Sequence, residues 1–284
     1  MYKAVFIDID GTLIRSDHSL SRTTIELIGK LKKNKILVAL VSARPLHGML
    51  SIAEEAGLIR FPLVGLNGAC ISIDREIVFE SAINYKIVGE IHKTFSQFDI
   101  TPIYYQQLRW FAESQNELTK MEQEITDVPI TIEPFANMLM HWQDADTGPN
   151  KILLIAEAGI TVEIQHLLKP RFMGRLNIYT SKPTYLEVMS KDASKLHAVQ
   201  FLIECYQMKR EEIIAIGDNF NDIEMISYAG VGIAMGNAPD EVKAAADYVT
   251  DTNDKDGVAK ALTTIYSAHK LFAGFTAVAL IAWI

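Results

Sequence analysis

Strand-length runs that stay apolar from one position to the next, separated by amphipathic segments, constrain this chain most. Ala4–Ile9 is rich in Val, Phe and Ile, Ile36–Val41 is apolar throughout, and Pro62–Gly65 is a third such run. A strand with one wet face alternates polar and apolar residues. These runs do not, so they predict strands covered on both faces. Between the first two, Thr24, Leu27, Ile28 and Leu31 recur at the spacing of one helix face, with Ser21 placed to start the helix and Asn34 to end it. Pro45 opens a further helix that closes at Gly57. Strand, helix and strand in succession predict an α/β fold: a doubly wound, Rossmann-like core whose parallel sheet lies between two helix layers.

From Cys70 the style changes. CISI and IVF flank Asp74-Arg75-Glu76, the signature of a hairpin. Residues 84–183 then combine a helix over Ile87–Phe98, strands over Ile100–Gln106, Lys151–Ala156 and Leu176–Tyr179, and a helix near Val162–Leu168. After a strand at Tyr185–Met189 the earlier habit resumes. A helix is expected over Ser194–Tyr206, a strand over Ile213–Ile216, a helix over Asp222–Tyr228 and a strand over Val231–Ala234. The simplest organisation is a discontinuous core, residues 1–83 and 184–270, interrupted by an inserted α+β domain at 84–183. Ser81–Asn84 and Ser181–Thr184 are then the expected hinges. Leu271–Ile284 is apolar and uncharged, yet shorter than the roughly 18–20 residues that span a bilayer, and stands apart as a tail.

Lysine and arginine number 27 against 35 acidic residues, a net charge of −8. That sign argues against nucleic acid or an anionic membrane as the main partner. Cys70 and Cys205 have no metal or redox spacing and are expected to be reduced and buried. The histidines form no zinc pattern. The N-terminal MYKAVFIDIDGTL is too short and too acidic for a secretion signal, so a cytoplasmic location is expected. No motif specifies an oligomeric state.

In open α/β sheets chemistry sits at the carboxyl ends of the strands. The first run ends in Asp8-Ile9-Asp10-Gly11-Thr12, the second in Ser42-Ala43-Arg44, and a later one in Gly217-Asp218-Asn219-Phe220-Asn221-Asp222. Lys195 lies in the first turn of the helix after Ala193-Ser194. Taken singly, each is an ordinary turn former, helix cap or solvated residue. Taken together, Asp8, Asp10, Asp218 and Asp222 would crowd one sheet edge and raise each other's pKa. A hard cation makes sense of such a cluster, and a lysine with a hydroxyl beside it suits a bound phosphoryl group.

These residues carry a family resemblance. FIDIDGTL resembles the DxDGT signature of the haloacid dehalogenase-like phosphohydrolases, and Ser42, Lys195 and GDNFND match their later motifs in order. NGA at Asn67–Ala69 and GNAPDEVKAAADYVT from Gly236 are similar to the Cof-type branch, whose cap domain is an insertion. Ala43 and Leu196 stand where that family commonly has glycine, but both positions keep a backbone N–H. The resemblance implies a Mg²⁺-dependent phosphatase acting on a small-molecule phosphate ester. In it Asp8 is the nucleophile and Asp10 the acid and base. The metal is held by Asp8, the Asp10 carbonyl and Asp218, with Asp222 behind them. Ser42 and the N–H groups of Ile9 and Ala43 hold the phosphate oxygens, Lys195 balances charge, and Asn221 bonds the phosphate or fixes Lys195. Tyr104, Tyr105, Arg109 and Trp110 read first as packing and surface residues, though one could meet the leaving group. A phosphotransferase or phosphomutase with the same intermediate, and a non-catalytic phosphometabolite-binding regulator, share the scaffold.

Overall fold

The computed structural model describes residues 2–126 and 128–268. In chain order the elements begin β1 (Ala4–Asp8), α1 (Arg22–Lys33), β2 (Leu37–Val41), α2 (Leu50–Glu55), β3 (Leu63–Gly65), β4 (Cys70–Ile73) and β5 (Glu76–Glu80). Next come α3 (Tyr85–Phe95), β6 (Thr101–Gln106), β7 (Arg109–Ala112), α4 (Glu117–Thr126), β8 (Thr131–Ile132), α5 (Phe135–Asp144), β9 (Lys151–Ile155), α6 (Ala158–Arg171), β10 (Leu176–Lys182) and β11 (Tyr185–Ser190). The chain continues through α7 (Lys195–Cys205), β12 (Ile213–Gly217), α8 (Ile223–Tyr228), β13 (Val231–Ala234), α9 (Asp240–Ala244), β14 (Tyr248–Val249) and α10 (Gly257–Ala268). No helix among the described residues is long and apolar enough to cross a membrane.

Two compact units emerge. Among the described residues, the first comprises those up to Val41, Ile52–Phe61 and those from Val199 to Ala268. Its strands run β14-β13-β12-β1-β2, all parallel. Every residue of β1 and β12 is buried, as continuous apolar runs require. In α1 the striped residues Thr24, Leu27, Ile28 and Leu31 are the buried ones. Each of its leucines and Ile28 contributes about 1.5–3 kcal/mol by leaving water. Ser21 starts this helix by accepting the Thr24 N–H at 3.0 Å, and Asn34 ends it. β1 has its successor β2 on one side and β12 on the other. Such a switch point opens a crevice at the strands' carboxyl ends.

The second unit comprises Ser42–Ser51 and Pro62–Ala198. Here β3, β4 and β5 form an antiparallel meander. Asp74 and Arg75, with φ of 51° and 70°, supply the two left-handed positions of the expected hairpin turn. A separate six-stranded sheet runs β10-β11-β9-β6-β7-β8 and is antiparallel except for the β7–β8 pair. One of its faces, with Tyr104, Ile152, Leu154, Leu186 and Val188, packs on Ile91, Phe95, Trp142, Ile164 and Leu168 from α3, α5 and α6. Ile103, Tyr105, Trp110, Leu153, Ile155 and Met189 cluster on the other.

Several expectations are corrected. Ser181–Thr184 is no joint: it ends β10 and makes the tight turn into β11, Lys182 pairing with Tyr185. The boundary between 183 and 184 therefore falls inside a hairpin, since β11 pairs with both β10 and β9. Both faces of this sheet are covered, so Tyr185–Met189 is buried throughout like a core strand, with Glu187 its charged member. Cys70 is buried and free, its thiol pushed up to about 12 by burial and by Glu80, whereas Cys205 is free but exposed at the end of α7. The helix expected from Pro45 starts as a 3₁₀ turn over Leu46–Met49 before α2. The apolar tail Leu271–Ile284 lies outside the described residues.

Candidate active site

β1 delivers Asp8 to the carboxyl edge of the parallel sheet, and the chain then coils tightly over Ile9–Leu13. Gly11, at φ +79°, makes that coil possible, and the Ile14 N–H closes it on the Ile9 carbonyl at 3.1 Å. The parallel register, Ile7 opposite Ile216, brings the end of β12 level, so Asp218 emerges beside the end of β1. One carboxylate oxygen each from Asp8, Asp218 and Asp222 lies within 4.8 Å of the others. Asp8 and Asp222 are buried, and Asp218 is half-buried. Asp222 is also structural. Its Oδ2 accepts the N–H groups of Asp218 at 3.0 Å and Asn219 at 2.9 Å, which fixes the start of the loop it ends. Asp10 and Asn221 are exposed at the same edge, and Ile9 is fully buried.

A layer of uncharged side chains holds this edge, and the sequence reading had not assigned it to the site. Thr12 Oγ1 donates to Asp218 Oδ1 at 2.9 Å. Asn237 Nδ2 donates to the Gly11 carbonyl at 2.8 Å and lies 3.4 Å from Asp218 Oδ2. Its Oδ1 accepts the Asn253 N–H at 3.1 Å, and Asn253 Nδ2 donates to the Ile14 carbonyl at 3.0 Å. Asn237 follows the end of β13, a fourth strand end, and its place there is the signal that points to it. Three carboxylates this close repel one another in low dielectric. Their donor set, hard oxygens only, fits a hard divalent cation.

Within the second unit, Ser42 and Lys195 are gathered around one turn. Ser42 is buried; its N–H donates to the Val64 carbonyl at 2.8 Å and its carbonyl accepts the Asn67 N–H at 2.9 Å. Its Oγ accepts the Arg44 N–H at 3.1 Å, while Ala43 is exposed. Leu66, Asn67 and Gly68 all have positive φ, of 52°, 52° and 93°. Gly68 lies so close to the start of α7 that a Cβ there would sit 2.1 Å from the Ser194 carbonyl oxygen. Lys195, at the head of that helix, is buried.

The sequence profile described as haloacid dehalogenase-like hydrolase matches residues 5–262. The chain belongs to that family. It is a phosphatase of the haloacid dehalogenase-like hydrolases, Cof-type, and acts on phosphate monoesters. It is 38% identical over 262 residues to a Haemophilus influenzae protein provisionally named a phosphatase, covering 91% of this chain and 96% of that one. The 5-amino-6-(5-phospho-D-ribitylamino)uracil phosphatase YcsE of Bacillus subtilis is 30% identical over 262 residues, covering 92% and 94%. A haloacid dehalogenase-like hydrolase from Bacteroides thetaiotaomicron, known as a crystal structure, superposes with a TM-score of 0.84 at 30% identity, covering 93% of this chain and 100% of that one. In this phosphatase Tyr104, Tyr105 and Trp110 are core residues of the second unit and offer nothing to a leaving group. The Tyr105 hydroxyl donates to Glu122 at 2.8 Å and Trp110 Nε1 to the Val128 carbonyl at 3.1 Å. Arg109 is exposed and stacks over Phe111.

Proposed function

We propose that this phosphatase hydrolyses small phosphorylated metabolites, sugar phosphates or related phosphomonoesters, through an aspartyl-phosphate on Asp8 and with Mg²⁺ as cofactor. The observation that carries it is the convergence of Asp8, Asp218 and Asp222 at the switch point of a parallel sheet. Asp8 attacks phosphorus, splitting one difficult displacement into two. Asp10 protonates the leaving alkoxide and then takes the proton of the attacking water. Ser42, with the N–H groups of Ile9 and Ala43, holds the non-bridging oxygens, and Lys195 balances their developing charge. Asn221 bonds the phosphate or fixes Lys195. The Asp8 and Asp218 carboxylates and the Asp10 carbonyl would hold Mg²⁺, with Asp222 orienting them; the ion supplies positive charge against the phosphate oxygens. The segment from residue 84, extended from 183 to Ser190 so that the β10–β11 hairpin stays whole, acts as an inserted cap, and the flanking stretches act as the core. The substrate class is supported by the ribitylamino-phosphate named for the Bacillus subtilis relative.

A screen of phosphorylated metabolites ranked by kcat/KM, run with Mg²⁺ and then with chelator, tests this. Turnover is expected to collapse on chelation and to return with Mg²⁺. Turnover unaffected by chelation would remove the metal from the proposal, and phosphate transferred to an added acceptor alcohol rather than to water would make the enzyme a phosphotransferase. Asp10→Asn is expected to lower kcat about 10²–10⁴-fold with little change in the inhibition constant of inorganic phosphate. An unchanged kcat would take the acid and base role from Asp10.

A further inference from the structure

The turn at Leu66–Gly68 is an awkward piece of backbone in a demanding place. Three successive residues have positive φ, two of them non-glycine, and a leucine in that conformation persists only when its surroundings impose it. The turn touches Ser42 through the Asn67 N–H and the start of α7 through Gly68, so it spaces the two stretches that carry Ser42 and Lys195.

One side-chain bond ties this turn to the six-stranded sheet. Asn67 Nδ2 donates to Tyr179 Oη at 3.0 Å. The Tyr179 hydroxyl in turn donates to Glu187 Oε2 at 3.2 Å, its cross-strand neighbour on β11, and also lies 3.6 Å from Met189 Sδ. Lys151 Nζ, on β9, is 3.5 Å from the same Glu187 oxygen. Glu187 and Lys151 are both buried, an arrangement that holds a fixed geometry rather than waits for solvent or ligand. Burial, reinforced by Glu187, raises the Tyr179 pKa, so the phenol keeps its proton and its role as donor.

We propose that Tyr179 is a positioning residue: by holding Asn67 it fixes the left-handed turn and, through it, the spacing of Ser42 and Lys195 that binds phosphate. The chain Asn67–Tyr179–Glu187–Lys151 already uses the phenol as acceptor and donor, so it acts on the turn and not on the leaving group. This inference rests on Ser42 and Lys195 forming the phosphate site.

The test uses inorganic phosphate as a competitive inhibitor of p-nitrophenyl phosphate hydrolysis, with Mg²⁺ present. Tyr179→Phe is expected to weaken phosphate about tenfold, the scale of one lost hydrogen bond. Asn67→Gly, which keeps a residue at ease with positive φ, is expected to do the same, and the double variant to be no weaker than either alone. It also serves as the independent variant if Tyr179→Phe fails to fold. A lower Tm with an unmoved phosphate constant, or losses that add in the double variant, overturns the proposal. Ser42→Ala separates the two levels. If it weakens phosphate and Tyr179→Phe does not, the tether alone falls; if it leaves phosphate unmoved, the phosphate site falls and the tether with it.

Discussion

Asp8→Ala is expected to lower kcat on an aryl phosphate by about 10⁴-fold or more, with a Tm no lower than that of the unsubstituted protein. The first half follows from the nucleophilic role, since removing a nucleophile leaves only what binding and charge stabilisation achieve. The second half follows from electrostatics. Asp8 is 5% exposed and its carboxylate shares a small volume with those of Asp218 and Asp222. Deleting one of three like charges relieves repulsion that desolvation intensifies, which offsets the packing lost with a short side chain. Kinetics with Mg²⁺ present check the first half, and thermal unfolding without added metal checks the second. Retained turnover would end the aspartyl-phosphate mechanism. A fall of many degrees would make Asp8 a structural residue first.

Gly11→Ala carries the second large effect, and it needs no change at any charged group. The new Cβ would sit 2.3 Å from Asp218 Oδ2 at a residue held at φ +79°. The backbone penalty for a Cβ at positive φ is about 1–2 kcal/mol. The clash is the larger matter for function, because the Asp218 carboxylate is held by Thr12 Oγ1 and is near Asn237 Nδ2. Pushing it away misplaces one of the three converging oxygens, and misplacement of about 1 Å costs about 10²-fold in rate. We therefore expect kcat to fall at least about 10²-fold with a loss of about 1–3 kcal/mol in stability. Urea unfolding and steady-state kinetics measure the two. Wild-type values for both would show that the coil after β1 has room the structure denies it.

The parallel core was legible because its signals are local and redundant. Ser21, the Thr24-Leu27-Ile28-Leu31 stripe and Asn34 specify α1 without reference to anything else, and strands buried on both faces are apolar at every position. The six-stranded sheet was less so. α5 is reached through Pro134 and buries few residues, Met138 and Trp142 among them, so its periodicity is faint, and β8 has only two residues. The Lys-Pro-Thr turn after β10 carries the same punctuation as a linker, hence the misplaced hinge. At the site, charged groups announced themselves by their place at strand ends. Thr12 and Asn253 did not, because an uncharged side chain that bonds across the fold leaves no pattern along the chain, and Asn237 was marked only by its place after β13. Cys205 was misjudged because free cysteines are usually buried, whereas this one ends a helix at the surface.

The neighbours of β1 also bear on how the protein is made. Ala4 pairs with Leu37 on one side and with Ile213 on the other. During synthesis β2 can join early, but the opposite edge of β1 stays bare until most of the polypeptide has left the ribosome. A bare strand edge, apolar from Ala4 to Ile7, is a template for wrong pairing, with other nascent chains among the candidates. The six-stranded sheet of the second unit is synthesised during that interval. It closes on local hairpins, β6 with β7 and β10 with β11, and so need not wait for the C-terminal strands. The six-stranded sheet is therefore expected to complete first, and the parallel sheet, with its edge of converging carboxylates, last.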